Sequence, residues 1–310
     1  MPEFTPRARN AAEFGALMGR MATARADAPP APAYEPRPDD VIITPYGKCG
    51  TTMLQQMFHQ LRTGGDMDFD DISRVVPWIE TAPALGIDIN APQRANPRGF
   101  KSHLDYESLP RGARYVVALR DPGDAFVSML RFMEGWFIEP GALTMEEFFE
   151  GWVTGGGPGG KGYWPHLLSW WAQRDNPDVL ILTYRGLTAD RAGHIRRLAE
   201  FAGIPADDAL VDLVLERTSL AYMLEHKDRF DDAMMRARSE SSLGLPPGAD
   251  SAKVRVGGRH SGELPPALAE RLDAIWAEQV APVTGHASFA ALEEELSRTR
   301  PPVQLPPIPA

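Results

Sequence analysis

The stretch Thr44-Pro45-Tyr46-Gly47-Lys48-Cys49-Gly50-Thr51-Thr52 follows an apolar run over residues 41–44. It precedes a segment in which Met53, Leu54, Met57, Phe58 and Leu61 recur at helical spacing. It therefore reads as a turn between a strand and a helix. Two glycines let backbone amides approach an anion, and a helix start adds unsatisfied N–H groups with a partial positive charge. Lys48 supplies a full charge and Thr51 and Thr52 supply hydroxyls, so three kinds of donor converge on one phosphate. A nucleoside-triphosphate P-loop reads G-x-x-x-x-G-K-[ST]. Here lysine precedes the last glycine by two positions, which argues against ATP with magnesium. Taken alone, the segment also fits a plain glycine turn capped by threonines.

Working outward, residues 115–119 form a continuous apolar strand. Asp121-Pro122 then places a capping side chain before a proline at the first position of a helix over about residues 123–133. A third strand over residues 179–183 leads to a helix over about residues 190–202, with Ile195, Leu198 and Phe201 inward and Gly203 as its stop. Strands that alternate with helices predict an α/β fold: a P-loop-like parallel sheet flanked by helices on both faces, in a single domain. Residues 9–25 read as an amphipathic helix followed by a proline-rich linker over 29–38. The expected division is thus 1–39 for helix and linker, 40–295 for the domain body and 296–310 for a proline-rich tail. Residues 228–254 turn charged and then rich in serine, glycine and proline, which predicts a mobile loop or lid.

Composition bounds the function. With 310 residues, 43% of them apolar, the chain can bury a substantial core. A net charge of -10 argues against a nucleic-acid binder, while leaving room for a local basic pocket around an anionic small molecule. One cysteine, Cys49, excludes an intrachain disulfide framework and a cysteine-based zinc cluster. No apolar run of about 18 residues occurs, and the N-terminus is charged, so a transmembrane segment and a signal peptide are not expected and the cytoplasm is the expected compartment.

The turn Gly47-Lys48-Cys49-Gly50-Thr51-Thr52-Met53 resembles the P-K-S-G-T-T-W loop of the cytosolic-type, PAPS-dependent sulfotransferases. A second segment, Arg120-Asp121-Pro122-Gly123-Asp124-Ala125-Phe126-Val127-Ser128, is similar to that family's R-[ND]-P-x-D-x-x-x-S. By itself this segment also fits a capped helix beside a surface arginine. An arginine at a strand end and a serine two turns into the next helix can nevertheless grip one dianion from two sides. Between the two lies Phe100-Lys101-Ser102-His103, which resembles the family's K-T-H.

The resemblance implies transfer of a sulfuryl group from 3′-phosphoadenosine 5′-phosphosulfate (PAPS) to a hydroxyl or amine, leaving 3′,5′-adenosine bisphosphate, without a metal. It gives the 5′-phosphate to Lys48, Cys49, Gly50, Thr51 and Thr52, with Met53 near the adenine and Arg120 and Ser128 on the 3′-phosphate. His103 becomes the general base, its reference pKa lying near the operating pH, and Lys48 and Lys101 neutralise developing charge. Tyr184, Thr218, Ser219 and Leu220 match positions that contact adenine. Val254-Arg255-Val256-Gly257-Gly258-Arg259 resembles a degenerate R-K-G-x-x-G loop, giving Arg255 and Gly257 to the 3′-phosphate. Two departures stand out: Cys49 replaces a serine and Met53 replaces a tryptophan. His166, Trp78 and Tyr163 fall where relatives bind the acceptor, as do Trp136, Phe137, Trp152 and Trp164. Their aromatic character suggests an alcohol, phenol, steroid-like or glycolipid acceptor, although such residues also simply pack. The family's dimerisation motif is not visible, so no oligomer is inferred. Two other readings stand beside this one: an ATP/magnesium-dependent kinase of a small alcohol, and a non-catalytic nucleotide-binding module on the same fold.

Overall fold

The computed structural model describes residues 4–26, 33–155, 161–251, 253–256 and 261–298. Four parallel strands, β1 (Val41–Ile43), β2 (Gly99–Lys101), β3 (Arg114–Leu119) and β4 (Val179–Thr183), form one sheet in the order β2-β1-β3-β4. Every residue of the four is buried, as a parallel sheet covered on both faces requires. Side chains alternate between two cores. Ile42, Tyr115, Val117, Leu119 and Ile181 join one, and Val41, Ile43, Val116, Ala118, Leu180 and Leu182 join the other.

The second core is closed by α2 (Thr51–Thr63), through Leu54, Met57, Phe58 and Leu61, and by a helix over Arg191–Ala202, through Ile195, Leu198 and Ala199. The first core is closed by α3 (Pro122–Glu134), α4 (Met145–Thr154) and α5 (Tyr163–Trp171). It also takes in Leu17 of the N-terminal helix α1 (Ala11–Ala26), whose Phe14, Met18 and Met21 pack partly buried against it. β1 lies between β2 and β3, so the chain leaves β1 in one direction and returns to its other side. This switch point opens a crevice at the carboxyl ends of β1 and β3, where the turn and Arg120 both sit.

Three of the strands follow the expected apolar runs, and Asp121 caps α3 by accepting from Asp124 N at 3.0 Å, ahead of Pro122. Two features differ from expectation. β2 is only three residues long, too short for a periodic signal, although it carries Lys101. The segment 228–254 is not bare loop: it holds α6 (Ala233–Leu243), free of glycine and proline and ended by left-handed Gly244. Only Ser239 and Leu243 of this helix are buried, so no apolar stripe announced it.

Candidate active site

The turn after β1 is shaped by its backbone. Gly50 adopts a φ of 96°, and a Cβ there would also lie 3.0 Å from the Tyr184 ring, so both conformation and space call for glycine. Lys48 takes a left-handed φ of 70° without being glycine, a strain that clusters at functional sites. Gly50 is the N-cap of α2 with no side-chain cap, so the first amides of that helix are left to another partner. Thr51 Oγ1 is buried with no hydrogen-bond partner among the described residues. An anion carrying several acceptor oxygens satisfies both, which is the fit expected of a phosphate at a helix start. Across the crevice, Arg120 donates to Lys48 O at 2.8 Å and stacks its guanidinium 4.3 Å from the Tyr184 ring centre. The Lys48 ammonium lies 4.5 Å over the Phe132 ring, and burial with neighbouring cations pushes its pKa well below the usual lysine value.

Beside this turn, His103 Nδ1 lies 2.7 Å from Pro45 O. A carbonyl oxygen only accepts, so Nδ1 carries the hydrogen and neutral His103 keeps its lone pair on Nε2. Burial, together with the charge of Lys101, holds the imidazole well below its usual pKa and therefore neutral. Glu80 fixes the segment by accepting from His103 N and from Ser102 Oγ, each at 2.9 Å. Lys101 is buried, with its ammonium 4.0 Å from the Trp78 ring centre and 3.7 Å from Asp232, and burial brings its pKa down to about 8.

These groups line one cavity of about 1480 Å³. Its polar end holds Lys48, Gly50, Thr51, Thr52, Lys101, His103, Arg120, Ser128 and Arg255. Its apolar end holds Phe14, Met18 and Met21 of α1, Phe132, Trp136 and Phe137 from α3 and beyond, and Phe148 and Trp152 of α4. The model of the Sulfotransferase domain family matches residues 38–284. The chain belongs to the sulfotransferase family.

Among its relatives, Sulfotransferase 1E1 of Bos taurus is 30% identical over 200 residues, which span 61% of this chain and 68% of that protein. Sulfotransferase 1C2 of Homo sapiens is 26% identical over 205 residues, spanning 63% and 69%. Among solved structures, retinol dehydratase in complex with androsterone and the inactive cofactor PAP matches with a TM-score of 0.62 at 18% identity, covering 79% of this chain and 82% of that one. A mouse sulfotransferase complexed with PAP matches with a TM-score of 0.57 at 19% identity, covering 90% and 92%. This likeness agrees with the expected α/β fold. As a sulfotransferase, the chain is an enzyme, and neither the kinase nor the non-catalytic alternative is retained.

The sulfotransferase cavity gathers most, but not all, of the residues expected of it. Met53, Trp78, Tyr184, Thr218 and Leu220 line it. His166 does not: it is buried, its Nε2 donates to Thr44 O at 3.1 Å, and burial holds its pKa near about 4, so it braces the end of β1. Tyr163 is likewise buried, its hydroxyl donating to Arg120 O, and neither it nor Trp164 lines the cavity. These placements share one cause, since α5 turns this face into the first core. Ser219 caps the helix Leu220–Glu225 by accepting from Tyr222 N at 3.2 Å and is not part of the lining. Cys49 sits beneath the turn, with Sγ 3.8 Å from Gly47 O and burial pushing its pKa up to about 12. Gly257 lies outside the described residues, and Val256 is 80% exposed.

Several lining residues escaped the sequence reading. Phe14, Met18 and Met21 carried a signal, the apolar stripe of an amphipathic helix, but nothing in it distinguished a cavity wall from core. Asp232 and Lys253 carried none, being ordinary charges within a charged run.

Proposed function

We propose that this sulfotransferase takes its sulfuryl group from PAPS and transfers it to the hydroxyl of a small apolar alcohol or phenol, with His103 as general base. The observation that carries this reading is the His103 tautomer. Its Nδ1–H is committed to Pro45 O, which leaves Nε2 as a proton acceptor in the cavity that Lys48 and Lys101 also line. PAPS supplies an activated sulfuryl group on a phosphate leaving group. The uncapped start of α2 and Thr51 suit its 5′-phosphate, and Arg120, Ser128 and Arg255 suit the 3′-phosphate. Tyr184, Thr218, Leu220 and Met53 also line the cavity, and we assign them to adenine.

His103 removes the acceptor proton as the acceptor oxygen bonds to sulfur. Lys48 and Lys101 stabilise the negative charge that appears as the bond from sulfur to the phosphate oxygen breaks. Cys49 takes no covalent part, because a buried thiol with a pKa raised to about 12 stays protonated near neutral pH. The apolar end, with its aromatic and methionine side chains, supports an apolar acceptor, and glycolipid, steroid-like and phenolic alcohols all fit that description. We take residues 40–295 as the catalytic body, with α1 covering its acceptor end and the cytoplasm as its compartment. Among the described residues no helix is long and apolar enough to cross a membrane.

The test is His103→Ala. The expected outcome is a fall in kcat of about 10²–10⁴, with the Kd for 3′,5′-adenosine bisphosphate changed by less than about threefold. A parallel loss of nucleotide affinity would reassign His103 to a structural role.

A further inference from the structure

Asp232 stands at the N-cap of α6, where an aspartate ordinarily accepts from an amide of the first turn. It does not do so here. Its backbone is left-handed, with a φ of 50°, and its side chain makes no cap hydrogen bond. The amide of Met234 is taken instead by Asp71 Oδ2, at 3.0 Å. Thus released, the Asp232 carboxylate turns into the active-site cavity, where Oδ2 lies 3.7 Å from Lys101 and pairs more closely still with Lys253. All three side chains are at most 8% exposed. Asp232 Oδ1 is buried with no hydrogen-bond partner among the described residues.

Two buried cations share this carboxylate at the cavity wall, with Glu80 and Asp71 as further acidic neighbours of Lys101, so the pairing fixes where the two ammonium groups stand. Lys48 adds to this field, since Lys253 acts on it as well. We propose that Asp232 is a positioning residue that holds Lys101 and Lys253 at the wall of the cavity beside His103, and that Lys253 serves as a further cation for the anionic group being transferred. The identity of that anion rests on the donor reading above; the pairing itself does not. The chain thereby places a lysine in the active site from the segment that also holds the exposed Val256.

The charges facing Lys101 are Asp232, Lys253, Glu80 and Asp71, with His103 close by. Asp232 raises the pKa of Lys101 and Lys253 lowers it, so removing each moves the titration in opposite senses. The experiment follows the lysine side-chain resonances of the ligand-free full chain by NMR across pH 6–11. Asp232→Asn is expected to lower the Lys101 midpoint by about one unit or more, and Lys253→Met to raise it by a similar amount. The double variant should return the midpoint toward wild type, and, having lost one buried cation together with the carboxylate, it keeps the test alive where Asp232→Asn alone fails to fold. The alkaline limb of kcat should move with the midpoint. Lys253→Met should lower kcat about tenfold or more, with partial recovery in Lys253→Arg. Midpoints that stay put, or that move in the same direction in both single variants, overturn the proposal. Wild-type calorimetry with 3′,5′-adenosine bisphosphate runs alongside: absence of binding there refutes the donor reading, whereas the NMR midpoints judge the Asp232 pairing on their own.

Discussion

The polar end of the cavity is built mostly from short segments at strand ends: residues 45–52 after β1, Lys101 closing β2 with His103 beyond it, and Arg120 and Ser128 after β3, with Arg255 joining from far along the chain. Backbone geometry aims several of these groups, as with left-handed Lys48 and Gly50 or the His103 ring fixed to Pro45 O. The apolar end is assembled from pieces far apart in the chain, Phe14 and Met18 of α1, Trp136 beyond α3 and Trp152 of α4. Here contact depends on shape and area rather than direction. The contrast teaches that substitutions at the polar end should act steeply and selectively, and those at the apolar end in graded fashion.

After His103, the largest effect is expected at Lys48. Lys48→Met should lower kcat by about 10²–10³ while leaving acceptor binding near wild type, as measured by steady-state kinetics and acceptor isotherms. A loss confined to acceptor KM would break the division between the ends. Next, Arg120→Ala should weaken nucleotides bearing a 3′-phosphate by about 10- to 100-fold and those lacking it by less than about threefold, a difference that calorimetry resolves. Equal weakening would mean that Arg120 acts only through the turn it braces at Lys48 O.

A smaller change is expected at the apolar end. Phe14→Ala or Met18→Ala should raise the KM of an apolar acceptor about three- to tenfold with the Kd for 3′,5′-adenosine bisphosphate unchanged. A shift in nucleotide affinity would tie α1 to the donor instead. The mildest test concerns acid stability. His59 and His166 are buried and neutral, each with its pKa lowered to about 4 by burial. The unfolded chain takes up protons at these histidines near pH 6.5 while the folded chain does not, so stability falls as pH drops from about 6.5 toward 4. Thermal unfolding should show this slope, and His166→Gln should flatten it.

How much of this was legible in the sequence follows from the same contrast. The turn, the Arg120 segment and three strands were readable because glycine positions, caps and unbroken apolar runs are local signals. β2 was hidden by its length, and α6 by a surface without an apolar stripe. The inward placing of His166 and Tyr163 was not legible, because an aromatic helix looks the same whether it faces a cavity or a core, and only the packing of α5 decides between them. Asp232 and Lys253 were invisible because an ion pair across the fold leaves no spacing to read.

The most direct test of the account is the nucleotide preference of the wild-type cavity, measured by calorimetry with 3′,5′-adenosine bisphosphate (PAP) and with ATP plus magnesium. Tighter binding of the bisphosphate, weakened by Arg120→Ala, is expected, because the turn lacks the P-loop lysine position and the cavity offers Arg120 and Ser128 to a second phosphate. Tighter binding of ATP with magnesium would contradict it.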